Sequence, residues 1–340
     1  MKSALAAGLI ASLAVASPRA APSETPPATI RVGYLRLANA QLISKALRFH
    51  ERSGLTVQWI PFETGGQVNA AIAAGQIDFG AVGSPPAAAG ISAGLQYRGI
   101  FILNMLGSVE GLVVRANLPI SAPSDLAGRR IAVPFGSTSY YLLLSLLRQN
   151  GVPRSAVTLL DMTPSQAREA WDKQEIDGAW LWETALHHMM TNGGRVLVDN
   201  SDMARSGLPV GDIAVVANDL LKARPELVAR YVQSECAAIE FWRERPADTA
   251  RIVARELGVG PADAARMMTG TEVVPCGHQL APAYLGLMEN PGAFARSLRP
   301  IATFLFDDGR TVRVLPDKDY DHFVDIRFLT AISNPVKPQP

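Results

Sequence analysis

Short apolar runs alternate with stretches of helical period through the first two thirds of the chain. Residues 29–35, 55–62, 77–83 and 97–103 predict strands, while 40–52, 68–74 and 85–93 place apolar residues at helical spacing. A second series opens at 130–135. It continues with a helix at 138–149, a strand at 157–161, a helix at 165–173 and strands at 178–182 and 195–198. Strand then helix, repeated, implies parallel sheets with helices on their faces. After a strand at 213–216 the pattern changes, and 225–243, 246–256, 261–268 and 292–306 all read as helices.

A helical C-terminal third cannot easily supply its own sheet, so it is expected to pack back on the first lobe. The predicted architecture is therefore α/β with two lobes and a ligand cleft between them. Residues 29–116 with 214–340 form a discontinuous lobe 1, and 117–213 form lobe 2. The chain would cross near 115–121 and again near 208–211, and crossings with few contacts are natural hinges.

The N-terminus changes the picture of where the protein works. Met1 and Lys2 precede an apolar stretch from Leu5 to Val15, followed by Ala14-Val15-Ala16. A positive charge, a short apolar core and an Ala-x-Ala site predict a secretory signal peptide ending near residue 20, with a second cleavage point at Arg19-Ala20-Ala21. The run is shorter than the roughly 20 residues a bilayer span needs. No Cys lies near the cleavage region, so a soluble periplasmic protein without a lipid anchor is expected. The balance of 32 Lys plus Arg against 31 Asp plus Glu gives no basic surplus for a nucleic-acid partner. Cys236 and Cys276 are the two cysteines, and the sequence leaves open whether they form one bridge or stay separate buried thiols.

Candidate chemistry gathers at strand-to-helix junctions. Glu63-Thr64-Gly65-Gly66, Gly83-Ser84-Pro85-Pro86 and Gly136-Ser137-Thr138-Ser139 each put a small hydroxyl beside Gly or Pro. In an open parallel sheet, ligands bind at these carboxyl ends. Free amides and the helix dipole can hold an anion there without Lys or Arg. Each hydroxyl could equally do no more than cap its own helix. Glu110 and Asp212 sit in small-residue contexts just before predicted strands, where they either face solvent or clamp a cationic group in the cleft. Trp180 and Trp182 alternate along one strand, so one can line a cleft while the other packs in a core. Tyr140 and Tyr141 fall in the first turn of a predicted helix, close to the proposed anion position.

Several of these segments together resemble a known group. Val32-Gly33-Tyr34, residues 75–80, Gly83-Ser84, Glu110 with Leu112-Val113-Val114, Asp125-Leu126, residues 128–138 followed by Tyr141, Asp177-Gly178-Ala179 with Trp182, and Asp212 occur in order across residues 30–245. The chain resembles the nitrate, sulfonate and taurine group of periplasmic solute-binding proteins of ABC importers, its taurine-binding members above all. The resemblance implies a clamshell with the sulfonate on helix N-termini and the amine on acidic side chains. Ser84, Ser137 and Thr138 would hold the sulfonate, Glu110 and Asp212 the ammonium, and Trp182 would wall the pocket. Thr64, Tyr141 and Asn39 complete the candidate set. Pro85 stands where the group usually has a second hydroxyl, and Leu35-Arg36-Leu37-Ala38-Asn39 departs from its pattern. Taurine, hypotaurine and other sulfonates or small anions therefore all stay open as guests. The implied partner is a membrane permease with its ATPase. No cofactor or metal is expected, and a monomer is.

The same resemblance brings an enzyme into view, because a sulfinate-cleaving desulfinase and a thiamine-pyrimidine synthase share this fold. The first uses a cysteine in an N-terminal cleft loop and the second a Cys-rich segment. Here Cys236 lies in a predicted helix and Cys276 in a late loop, and His50, His187, His188, His278 and His322 are scattered. No nucleophile and base pair emerges from the sequence, so a binding protein is expected.

Overall fold

The structure, a computed structural model, describes residues 28–333; the predicted signal peptide lies outside the described residues. Ten strands and a short eleventh form two mixed sheets: β1 (Ala28–Leu35), β2 (Leu55–Phe62), β3 (Phe79–Gly83), β4 (Tyr97–Leu106), β5 (Glu110–Arg115), β6 (Arg130–Val133), β7 (Thr158–Asp161), β8 (Gly178–Trp182), β9 (Gly194–Asp199), β10 (Gly211–Ala217) and β11 (Thr271–Glu272). The first sheet runs β11-β4-β10-β3-β1-β2 and the second β7-β6-β8-β5-β9. Helices cover both, giving a two-lobe α/β clamshell.

Two expectations need correction. β5 pairs antiparallel with β8 and β9, so it belongs to the second sheet, and the first crossing falls at residues 107–109 rather than 115–121. The apolar pattern of β5 identified a strand but could not name its partners. β10 pairs antiparallel with β3 and β4, which returns residues 211–213 to the first lobe. Neither sheet is purely parallel. Each receives one strand from the other lobe without a crossover helix to turn it, and that strand runs against its neighbours.

The helical C-terminal third is tied to the first lobe by buried polar contacts as well as apolar packing. Gln279 donates from Nε2 to the Ile102 carbonyl (2.8 Å), and its Oε1 accepts from the Ile102 amide (2.7 Å), so one amide side chain occupies both backbone groups of a residue in β4. The Ser92 and Tyr320 hydroxyls meet at 2.9 Å, also buried. The helices Pro225–Glu244, Pro246–Leu257 and Pro261–Thr269 each begin on a proline, whose missing N–H costs nothing at that position. Cys236 and Cys276 form a disulfide with Cα atoms 5.8 Å apart, which closes the alternative of two free thiols.

Candidate ligand-binding site

Sheet register assembles the site. In the first sheet Asp212 lies opposite Gly83 on one side and Asn104 on the other; in the second, Glu110 lies opposite Trp182. Cross-strand partners project to the same face, so each lobe offers one row: an acid and an amide from the first, an acid and an indole from the second. Both rows line one narrow cavity, in which the centre of a water-sized body has about 30 Å³ to move.

The cavity is walled by Leu35, Leu37, Ala38, Leu106 and Val109, and no Lys or Arg among the described residues lines it. Three helix N-termini open on it, at Gly65, Gly83 and Thr138, and none of the three helices carries an acidic residue in its first turn. The positive end of each dipole is therefore left uncompensated by the protein. Gly83 matters sterically as well, since a Cβ there would collide with Thr138 Oγ1 across the cleft.

The two acids are buried and close enough to sense each other. Burial pushes the Glu110 carboxyl up to about 8; the Ser139 hydroxyl, donating at 2.7 Å, opposes the rise, while the charge of Asp212 adds to it. Burial likewise pushes Asp212 up to about 7, against a hydrogen bond from Asn104 Nδ2 at 3.2 Å. An ionised carboxylate in such a place costs several kcal/mol unless a cation meets it, and the cavity supplies none. A third carboxylate, Glu183, is already neutralised: Arg266 Nη1 donates to its Oε1 at 2.6 Å, from the helical block of the first lobe.

The candidate residues fall into two sets. Glu110, Ser137, Thr138, Trp182 and Asp212 line the cavity. Ser84 begins its helix beside Gly83, and its Oγ is buried without a partner. Ser137 accepts from the Tyr140 amide (3.2 Å) and donates to the Pro134 carbonyl (2.6 Å), so its hydroxyl is spent on the helix cap and only its backbone amide is left for a guest. Thr64 caps the next helix in a box with Gln67 and does not reach the cavity. Asn39 likewise caps the helix Ala40–Leu47 through Oδ1, 3.1 Å from the Leu42 amide. Tyr141 does not line the cavity either: its ring packs edge-on against Phe304 with centroids 5.1 Å apart. In the first turn of a helix only one direction faces the cleft, and Thr138 takes it. Trp180, two residues from Trp182, is buried with its indole N–H donating to Asn200 Oδ1.

Asn104, Glu183 and Thr271 escaped the sequence reading, and Ser139 figured there only as part of its junction, without a role of its own. The first three line the cavity, and Ser139 holds Glu110. Asn104 was detectable in principle, as the lone amide in the apolar run Ile100 to Leu106. Glu183 and Thr271 carry no local signal.

Comparison with known proteins places the chain among sulfonate- and taurine-binding relatives. The NMT1/THI5-like family model matches residues 40–249. The taurine-binding periplasmic protein of Escherichia coli is 30% identical over 308 residues, 88% of this chain and 92% of that protein. The alkanesulfonate-binding protein of Xanthomonas axonopodis pv. citri, solved with MOPS bound, superposes with a TM-score of 0.74 at 21% identity, over 87% of this chain and 98% of that one. A desulfurization enzyme shares the fold at a TM-score of 0.64 and 19% identity, over 89% of this chain and 98% of its own. With the family model spanning well over half of its length and a relative matched almost end to end, the chain belongs to the NMT1/THI5-like family.

Proposed function

We propose that this chain is the extracytoplasmic solute-binding component of an ABC importer, and that its guest is taurine or a closely related aminosulfonate or aminosulfinate. One observation carries the reading: Glu110 and Asp212, from opposite lobes, are buried in one cavity that has helix N-termini and, among the described residues, no cationic side chain. A zwitterion satisfies both ends of that arrangement. Its ammonium lies between the two carboxylates, and its oxyanion rests on the amides and hydroxyls at Gly65, Ser84 and Thr138, with Trp182 as the wall. A guest touching both lobes favours the closed form, since only differential contact shifts such an equilibrium. The closed protein then docks, as a monomer, on a membrane permease driven by its ATPase. The periplasmic relative supports this location, and among the described residues no helix is long and apolar enough to cross a membrane.

The binding reading is favoured over catalysis by the fate of the cysteines. Both are in one disulfide, so neither offers a thiolate to a sulfinate. Calorimetry against taurine, hypotaurine, ethanesulfonate, nitrate and sulfate tests the assignment. Taurine or hypotaurine should bind tightest and ethanesulfonate at least tenfold more weakly. Equal affinity for ethanesulfonate and taurine would sink the ammonium clamp, and turnover of a sulfinate would sink the binding reading.

A further inference from the structure

A second compartment lies outside Trp182, at the seam of the lobes. Trp182 and Glu183 line both it and the inner cavity, and it is far roomier, with about 300 Å³ open to the centre of a water-sized body. The first lobe contributes Arg36 and Glu63 to its wall; the second contributes Ser165 and Arg168.

The charges in this compartment are unevenly spent. Glu63 accepts the Ser165 hydroxyl across the seam at 2.5 Å, and Glu183 is paired with Arg266. The arginines are not so engaged. Arg36 gives one N–H to the Glu256 carbonyl (3.1 Å), which leaves most of its guanidinium fork free. Neither Arg36 nor Arg168 forms an ion pair with a carboxylate among the described residues, and both are exposed. Two cationic forks from opposite lobes thus border one open space. A planar guanidinium is well suited to a sulfate or sulfonate, to which it offers paired N–H donors.

We propose that this outer compartment is a second oxyanion site, in which a sulfate ion or sulfonate group bridges Arg36 of one lobe and Arg168 of the other. The bridge exists only when the lobes are together, so an anion held there favours closure. It also stands across the way out past Trp182. Inner guest and outer anion then strengthen each other's binding by the same factor, as linkage requires. The proposal rests on the charges of the compartment and not on the identity of the inner guest.

The test is calorimetric titration of sulfate into the mature chain, at constant ionic strength set with chloride, once with the inner site saturated by taurine and once without. The wild type should show a saturable sulfate site that survives taurine saturation, and sulfate should slow taurine release several-fold. In the double variant Arg36→Gln, Arg168→Gln that site should be lost, with taurine affinity in chloride changed by less than about twofold. Where taurine does not bind at all, the ligand-free titration still reads the compartment through its sensitivity to the arginine pair. Three outcomes overturn the proposal: no saturable sulfate binding, the same binding in the double variant, or sulfate that only competes with taurine.

Discussion

The hydroxyl of Thr138, in the second lobe, occupies the space a side chain would fill on Gly83 of the first. Closure of the clamshell therefore depends on a missing methyl group. Gly83→Ala is expected to leave each lobe folded, with a melting temperature within a few degrees of wild type, and to weaken guest binding at least tenfold. Small-angle scattering should show it more open in saturating taurine. Equal compactness of the two proteins would place the clash elsewhere.

Acidity should act on the acid pair in two opposite ways. Glu110 and Asp212 are held at about 8 and about 7 in the fold, against roughly 4 in an unfolded chain. Raised carboxyls favour the folded state when protonated. Their contribution to the ligand-free protein is full below about pH 4 and is lost as pH rises through about 7 and then 8. An ammonium prefers them ionised, so affinity for an aminosulfonate should rise over the same interval while ethanesulfonate affinity falls. Calorimetry and thermal melts between pH 5.5 and about 8.5 check both trends, and Glu110→Gln should flatten them.

Ser139 gives this scheme an internal control. Its hydroxyl opposes the rise of Glu110, so Ser139→Ala should push that carboxyl higher and weaken aminosulfonate binding several-fold at neutral pH. Raising the pH should restore most of the loss. A deficit independent of pH would mean that the serine contributes by packing alone.

Arg266 is expected to act as a latch. It reaches across the cleft to Glu183, and its second nitrogen lies 3.2 Å from His187 Nδ1, itself 3.3 Å from Asp263. Arg266→Gln leaves an unpaired carboxylate facing the cavity and removes a bond that exists only in the closed form. Affinity for charged guests of either kind should fall about tenfold, corresponding to about 1.4 kcal/mol, mostly through faster release in stopped-flow measurements. An unchanged release rate would exclude the latch.

The disulfide, by contrast, should matter for stability and not for binding. It links residues 40 apart within the first lobe, and the entropy of closing such a loop is worth at most about 4 kcal/mol. Reduction should lower the melting temperature while taurine affinity at 25 °C changes little. Loss of binding in the reduced, still-folded protein would argue otherwise.

The fold was legible because each lobe repeats strand and helix in runs of ordinary length, and the prolines at 225, 246 and 261 mark helix starts. Strand partnership was not. β5 and β10 look like their neighbours in composition, and their allegiance is decided by contacts distant in sequence. The site divides the same way. Junction glycines and hydroxyls stand out locally, which pointed to Ser84, Ser137 and Thr138, but the same hydroxyl pattern marks Thr64, which is only a cap. Tyr141 was misplaced because a helix turns by about 100° per residue, and adjacency to Thr138 in sequence says nothing of facing the cleft. Glu183 needed Arg266, 83 positions away, to acquire meaning.

Glu110 opens β5 and Asp212 is the second residue of β10, so each acid follows directly on a connector between the lobes. The two connectors start side by side, the amide of Leu106, the last residue of β4, donating to the Val210 carbonyl of the second connector at 3.0 Å. The acids thus sit beside the crossings between the lobes, whereas the Ser165–Glu63 hydrogen bond spans the lobes at the rim of the outer compartment. A swing wide enough to part that rim shifts the acids only slightly, and an arriving amine meets a receptor already at its working spacing before the jaws have moved.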